Sequence, residues 1–128
     1  MKFLCIGYFD PARLEWLSPT QLDTLMARCS ALLQALYATG RVLLDVGVKE
    51  EGGFVRRDGG DSIISGMYSE RIGALVGGAF VIEAGNTHEA LQIAALHPAA
   101  SLPTANELGW RLEVRPVQYF QMPNNAIA

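Results

Sequence analysis

Apolar residues recur along this chain with two different periods, and the changes of period mark the elements. Residues 2–8 form one run, Lys2-Phe3-Leu4-Cys5-Ile6-Gly7-Tyr8, rich in β-formers and stopped by Asp10-Pro11. Such a run predicts a strand that is apolar on both faces. A loop leads to Ser18-Pro19-Thr20-Gln21, a capping box with proline at the first helical position. Leu22, Leu25, Met26, Cys29, Leu32, Leu33 and Leu36 then fall at helical spacing, and Gly40 offers a left-handed closing residue. The pattern predicts a helix over 18–39.

The period returns to that of a strand at Arg41–Val48, where Asp45 interrupts the apolar residues. Phe54–Arg57 and Ser62–Ile64 flank Asp58-Gly59-Gly60-Asp61, which predicts a β-hairpin. Residues 65–76 read as a loop with room for one helical turn. Gly77-Gly78-Ala79-Phe80-Val81-Ile82-Glu83-Ala84 predicts a buried strand over 78–84. Asn86 with Glu89 three residues later signals a second helix start, over 87–96, with Pro98 as its terminator. After a loop over 99–109, Trp110, Leu112 and Val114 alternate with Arg111, Glu113 and Arg115, a half-buried strand ending near an edge at Pro116. Residues 121–128 carry no periodicity and read as a mobile tail behind a single domain over 1–120.

Strand, helix, strand, inserted hairpin, strand, helix, strand is an α+β order, the ferredoxin-like pair of split βαβ halves. Two helices cover one face of such a sheet. The strands 2–8, 41–48 and 78–84 are apolar on both faces, so the other face needs cover as well. A second copy of the chain, packed sheet to sheet about a two-fold axis, supplies it most simply. The expectation is a homodimer, a dimeric α/β barrel.

Composition narrows the function. Half of the 128 residues are hydrophobic, 18% are charged and the net charge is −3. No basic run exists to neutralise phosphates, so nucleic-acid binding is not expected. No apolar run approaches a membrane span. Cys5 and Cys29 have no metal-ligand spacing and lie in apolar patterns, as reduced thiols of a cytoplasmic protein would. Gly77-Gly78 precedes a strand instead of joining a strand to a helix, so it lacks the logic of a phosphate loop. No metal or nucleotide motif appears, and no cofactor is expected.

The chain resembles the YCII-related proteins, in particular their DGPF group, through its start Met1–Tyr8, the capped helix closing at Gly40, Gly77–Glu83, Ala94–Ala100 and Glu113–Val117. The resemblance runs to about Phe120. It implies a dimeric α/β barrel of ferredoxin-like subunits whose biochemical role is mostly unassigned. Similarity of that family to barrel enzymes such as muconolactone isomerases implies enzymatic roles. The position of some members beside extracytoplasmic-function sigma factors implies regulatory ones. Three departures stand out. An acidic residue common in relatives after the second strand's glycine is replaced near Val46. The Asp-Gly-Pro-Phe signature is Ser65-Gly66-Met67-Tyr68 here, followed by Ser69-Glu70, and the first-helix histidine of many relatives is Cys29.

The candidate chemistry is correspondingly sparse. Cys29 sits in an apolar stripe, where a core thiol is the plain reading and a nucleophile the functional one. His97 reads as a cation favoured at a helix C-terminus, and His88 as a solvated residue of the first turn. Asp45 is costly inside an apolar strand unless it lies at an edge or works. Arg111 and Arg115, with Glu113 between them, form either a solvated face or a carboxylate- or phosphate-holding pair, and Arg115 coincides with the family motif. Ser65 and Tyr68 belong to a turn or to a cleft wall, Tyr68 as donor or weak acid. The expected function is binding of a small anionic or aromatic metabolite, with scope for cofactor-free acid–base catalysis by Tyr68, Asp45, Cys29 or His97. The alternative is a non-catalytic interaction or regulatory module, and an open polar pocket against a filled interior separates the two.

Overall fold

The computed structural model describes residues 1–60, 62–68 and 74–123. The elements are β1 (Lys2–Phe9), α1 (Pro11–Leu14), α2 (Pro19–Tyr37), β2 (Val42–Gly47), β3 (Gly53–Arg57), β4 (Ile63–Met67), β5 (Leu75–Glu83), α3 (Thr87–Ala94), α4 (Pro98–Ser101) and β6 (Arg111–Pro116). Four strands form an antiparallel sheet in the order β2-β5-β1-β6, and β3 with β4 forms a separate two-stranded sheet. The two strands of each βαβ half flank or meet a strand of the other half, which is the ferredoxin-like α+β arrangement. The sheet is open and β2 and β6 are its edges.

The caps are those the sequence dictates. Ser18 Oγ accepts from Gln21 N–H and the Gln21 side chain accepts from Ser18 N–H, closing the capping box of α2. Asn86 Oδ1 accepts from Glu89 N–H at 2.8 Å and starts α3. Glu89 Oε1 in turn takes Arg41 at 2.7 Å and Gly85 N–H at 3.2 Å, which ties the start of β2 to the start of α3. Gly40 stands at φ 71°, three residues past the helix end.

Two core clusters hold the layers together. Phe3, Cys5, Phe80 and Ile82 from the sheet pack with Leu36 of α2 and Ala90 and Ala94 of α3. Phe3, Leu36 and Ile82 are fully buried, each contributing about 1.5–3 kcal/mol. Leu25 of α2 packs with Leu102, Ala105 and Leu108 in the second cluster, with Cys29 and Trp110 against it.

Four sequence expectations need correcting. The segment expected as a loop over 99–109 contains part of α4 and then turns whose leucines build the second core. The segment over 65–76 is strand at both ends, through Met67 and from Leu75, and residues 69–73, including Ser69-Glu70, lie outside the described residues. The loop before Ser18 holds the short α1, started by Asp10 Oδ1 accepting from Ala12 N–H. The helix expected to end at Leu96 ends at Ala94, and Pro98 opens the next one. Residues 124–128 of the expected mobile tail also lie outside the described residues.

Gly77 and Gly78, the third and fourth residues of β5, have a packing reason. A Cβ on Gly78 would lie 2.7 Å from the Val46 carbonyl oxygen, and one on Gly77 would lie 2.9 Å from the Phe9 ring. Side chains would push β2 and the end of β1 away from β5.

Candidate functional site

The α2 stripe is only partly used for the core. Leu25 and Leu36 are buried, whereas Met26, Cys29 and Leu33 face a cavity of about 660 Å³ between α2 and the sheet. Its opposite wall is the end of β1, β2 from Asp45, and Gly77–Phe80 of β5. His97, Pro98, Ala99 and Trp110 complete it. That volume lies within the usual range for small-molecule pockets, and its walls are mostly apolar and aromatic.

The backbone puts Asp45 there. Asp45 pairs with Phe80 across β2–β5, and Phe80 pairs with Cys5 across β5–β1. Directly paired residues share a sheet face, so Asp45 stands on the helix-covered face with Phe80 and Cys5. As an edge-strand residue it stays open to solvent, which answers the cost of a carboxylate in an apolar strand. Tyr37, in the last turn of α2, donates its hydroxyl to Asp45 Oδ2. That bond, then burial, raises the Tyr37 phenol above its ordinary value and keeps it a donor.

His97 is not the helix-terminal cation that its sequence position predicts. It is the N-cap of α4: Nδ1 accepts from Ala99 N–H at 3.0 Å. Its ring stacks on Phe80, centroids 4.9 Å apart and planes 8° apart. Burial lowers its pKa, against a smaller opposite pull from the Asp45 carboxylate, so the ring is held toward its neutral form. A neutral imidazole whose Nδ1 accepts carries its proton on Nε2.

Cys29 lies on the same cavity, but burial pushes its thiol up, away from a reactive thiolate. Trp110 Nε1 is sealed and has no acceptor among the described residues. Among the described residues, no three His, Cys, Asp or Glu side chains converge as a metal-binding set.

Three of the sequence candidates, Asp45, His97 and Cys29, thus meet around one cavity. The others do not join them. Arg115 pairs with Leu4, Glu113 with Ile6 and Arg111 with Tyr8, while Leu4 and Ile6 pair with Val81 and Ala79. These residues alternate with Cys5 and Phe80, so Arg111 and Arg115 stand on the opposite sheet face. The Arg111 guanidinium lies 4.0 Å from the centroid of the Tyr8 ring. Ser65 pairs with Val55 in the separate β3–β4 sheet, and Tyr68 follows that sheet, its ring 6.4 Å from Phe54. Gly66 of the altered signature faces Phe54: a Cβ there would lie 3.1 Å from the ring, so the surviving glycine has a packing reason.

A comparison with protein-family models matches the YCII-related domain over residues 1–109. The chain belongs to the YCII-related family. A comparison with curated proteins found no match. Among the described residues, the YCII-related match spans β1 to β5 and α1 to α4 and stops just before β6, so the Glu113–Val117 stretch lies beyond it. Every residue of the cavity except Trp110 falls inside the match. No helix among the described residues is long and apolar enough to cross a membrane.

Sequence reasoning missed Tyr37. The available signal was an aromatic hydroxyl at a helix end, eight residues before an aspartate that needed a partner.

Proposed function

We propose that this YCII-related protein binds a small metabolite, largely apolar and of aromatic size, in the cavity between α2 and the sheet. The observation that carries this reading is the meeting of Asp45 and His97 on one cavity of about 660 Å³ whose lining is otherwise largely apolar among the described residues. An open cavity with two convergent polar groups favours a ligand site over an interaction module with a filled interior. If chemistry occurs there, it is cofactor-free proton transfer. Asp45 is the proton acceptor, Tyr37 holds its carboxylate in place, and His97 Nε2–H is a neutral hydrogen-bond donor to charge developing on the ligand.

The protein works as a homodimer in this reading. Leu44 and Val46 of β2 leave 41% and 50% of their surface exposed on the face away from the helices, beside half-buried Ala79, Leu4 and Ile6 and buried Val81. Such a contiguous apolar sheet face is the kind that a second copy covers. Arg111, Glu113 and Arg115 would border that seam, and Ser65 and Tyr68 would extend from it on the hairpin. The two free cysteines fit a reducing, cytoplasmic compartment.

The test uses intrinsic fluorescence. Trp16 is 76% exposed and Trp110 lines the cavity, so Trp16→Phe leaves one reporter at the site. A panel of small phenols, lactones, carboxylates and phosphates should contain compounds that shift its emission saturably and raise the unfolding temperature. A panel without such a compound would overturn the reading.

A further inference from the structure

The polar end of the cavity has a donor–acceptor asymmetry that selects among ligand head groups. The imidazole of His97 and the carboxylate of Asp45 line the same cavity, and the carboxylate is felt at the ring, yet no hydrogen bond joins them. Each keeps hydrogen-bonding capacity that no described residue uses. Nδ1 of His97 is committed to Ala99 N–H, which leaves Nε2 as the proton-bearing nitrogen. Nε2 has no partner among the described residues and is not sealed, unlike Trp110 Nε1. On Asp45, Oδ2 takes the Tyr37 hydroxyl and Oδ1 has no protein donor among the described residues. The cavity wall therefore carries one N–H donor and one carboxylate acceptor that do not bond each other.

Three head groups can be set against that pair. A carboxylate or phosphate would accept from His97 but meet the like charge of Asp45, and among the described residues no Lys or Arg lines the cavity to offset it. An ammonium would satisfy Asp45 but has no lone pair for His97, whose N–H would then point at a cation. A hydroxyl accepts through its lone pairs and donates through its hydrogen, so it completes both groups at once. The walls of Phe80, Trp110 and Leu33 suit an aromatic ring behind it.

We propose that the ligand is a hydroxylated aromatic compound, a phenol in chemical class, whose hydroxyl bridges His97 Nε2–H and Asp45. This rests on the ligand-binding reading above and specifies its substrate class.

The test compares four compounds of one shape, 2-naphthol, 2-methylnaphthalene, 2-naphthoate and 2-naphthylmethylammonium, by titration followed through protein amide NMR shifts. The expected result is that 2-naphthol binds about ten-fold tighter than the methyl compound, since a site built to pair a hydroxyl is left with unmet polar groups by its apolar analogue. Asp45→Ala and His97→Asn should each shrink that preference to within about two-fold while binding of 2-methylnaphthalene persists. Asparagine at 97 keeps an acceptor for Ala99 N–H, so the α4 cap survives. Tightest binding by the ammonium or the carboxylate would overturn the hydroxyl assignment. Equal binding of all four would overturn it too but leave the apolar cavity as a ligand site. Binding of none would remove both.

Discussion

Tyr37 donates its phenolic hydroxyl to Oδ2 of Asp45, joining the last turn of α2 to the edge strand β2 on the rim of the cavity. The bond restricts the carboxylate and leaves Oδ1 for a ligand. Replacing Tyr37 by Phe removes the donor and keeps the ring. Stability should fall by about 0.5–1 kcal/mol, the low end for a hydrogen bond because both residues are exposed. Binding of 2-naphthol should weaken more than that of 2-methylnaphthalene. Urea unfolding and the paired titrations check the two parts.

His97 gives the fold a pH dependence of known direction. Its folded pKa lies below the ordinary 6.5, chiefly from burial. It therefore binds a proton less readily folded than unfolded, so its contribution is full above pH 6.5 and is lost as pH falls toward and through the folded value. Protonation at Nδ1 would also break the bond from Ala99 N–H. Denaturant midpoints measured from pH 7.5 to 5.5 should decline in the wild type and decline less in His97→Asn. Equal slopes would show that His97 is not the group responsible.

Gly78 holds β2 against β5 by having no side chain. Gly78→Ala brings a Cβ within 2.7 Å of the Val46 carbonyl oxygen, a backbone atom that cannot swing aside. A loss of about 1–3 kcal/mol is expected, as for other overpacked sites. Because Val46 is next to Asp45, ligand affinity should fall as well. Unfolding curves and the naphthol titration give both numbers.

The apolar outer sheet face predicts assembly. Light scattering at micromolar concentration should give twice the 13.9 kDa chain mass. Leu44→Lys puts a charge where a partner sheet would pack and should shift the protein toward monomer. A wild-type monomer at that concentration would refute the dimer.

The two thiols should be sluggish. Burial pushes Cys5 up to about 11 and also raises Cys29. Alkylation at pH 7.5 followed by mass spectrometry should label neither at the rate of a free thiol. Cys5, fully buried, should label only on unfolding. Rapid native labelling of Cys29 would instead mark a reactive site thiol.

What local order the sequence determined, it determined through near-neighbour physics. The capping box at Ser18, the Asn86 cap, the hairpin around Gly59 and the alternation of Leu112 and Val114 depend on residues a few positions apart, and all four are present in the structure. Strand order followed from connectivity, since two split βαβ halves leave few ways to interleave. The site did not follow. Cys29, Asp45 and His97 are 16 and 52 residues apart in turn, and whether they share a face depends on strand pairing and on where α4 begins. Period-2 alternation told that Arg111 and Arg115 share a face, but not that the face lies opposite Asp45, because that is set by the register of three strands at once. His97 shows the limit most directly. A helix-end histidine and an N-cap histidine look alike in sequence, and only the start of a new helix at Pro98 turned Nδ1 to the backbone and left Nε2 without a partner among the described residues.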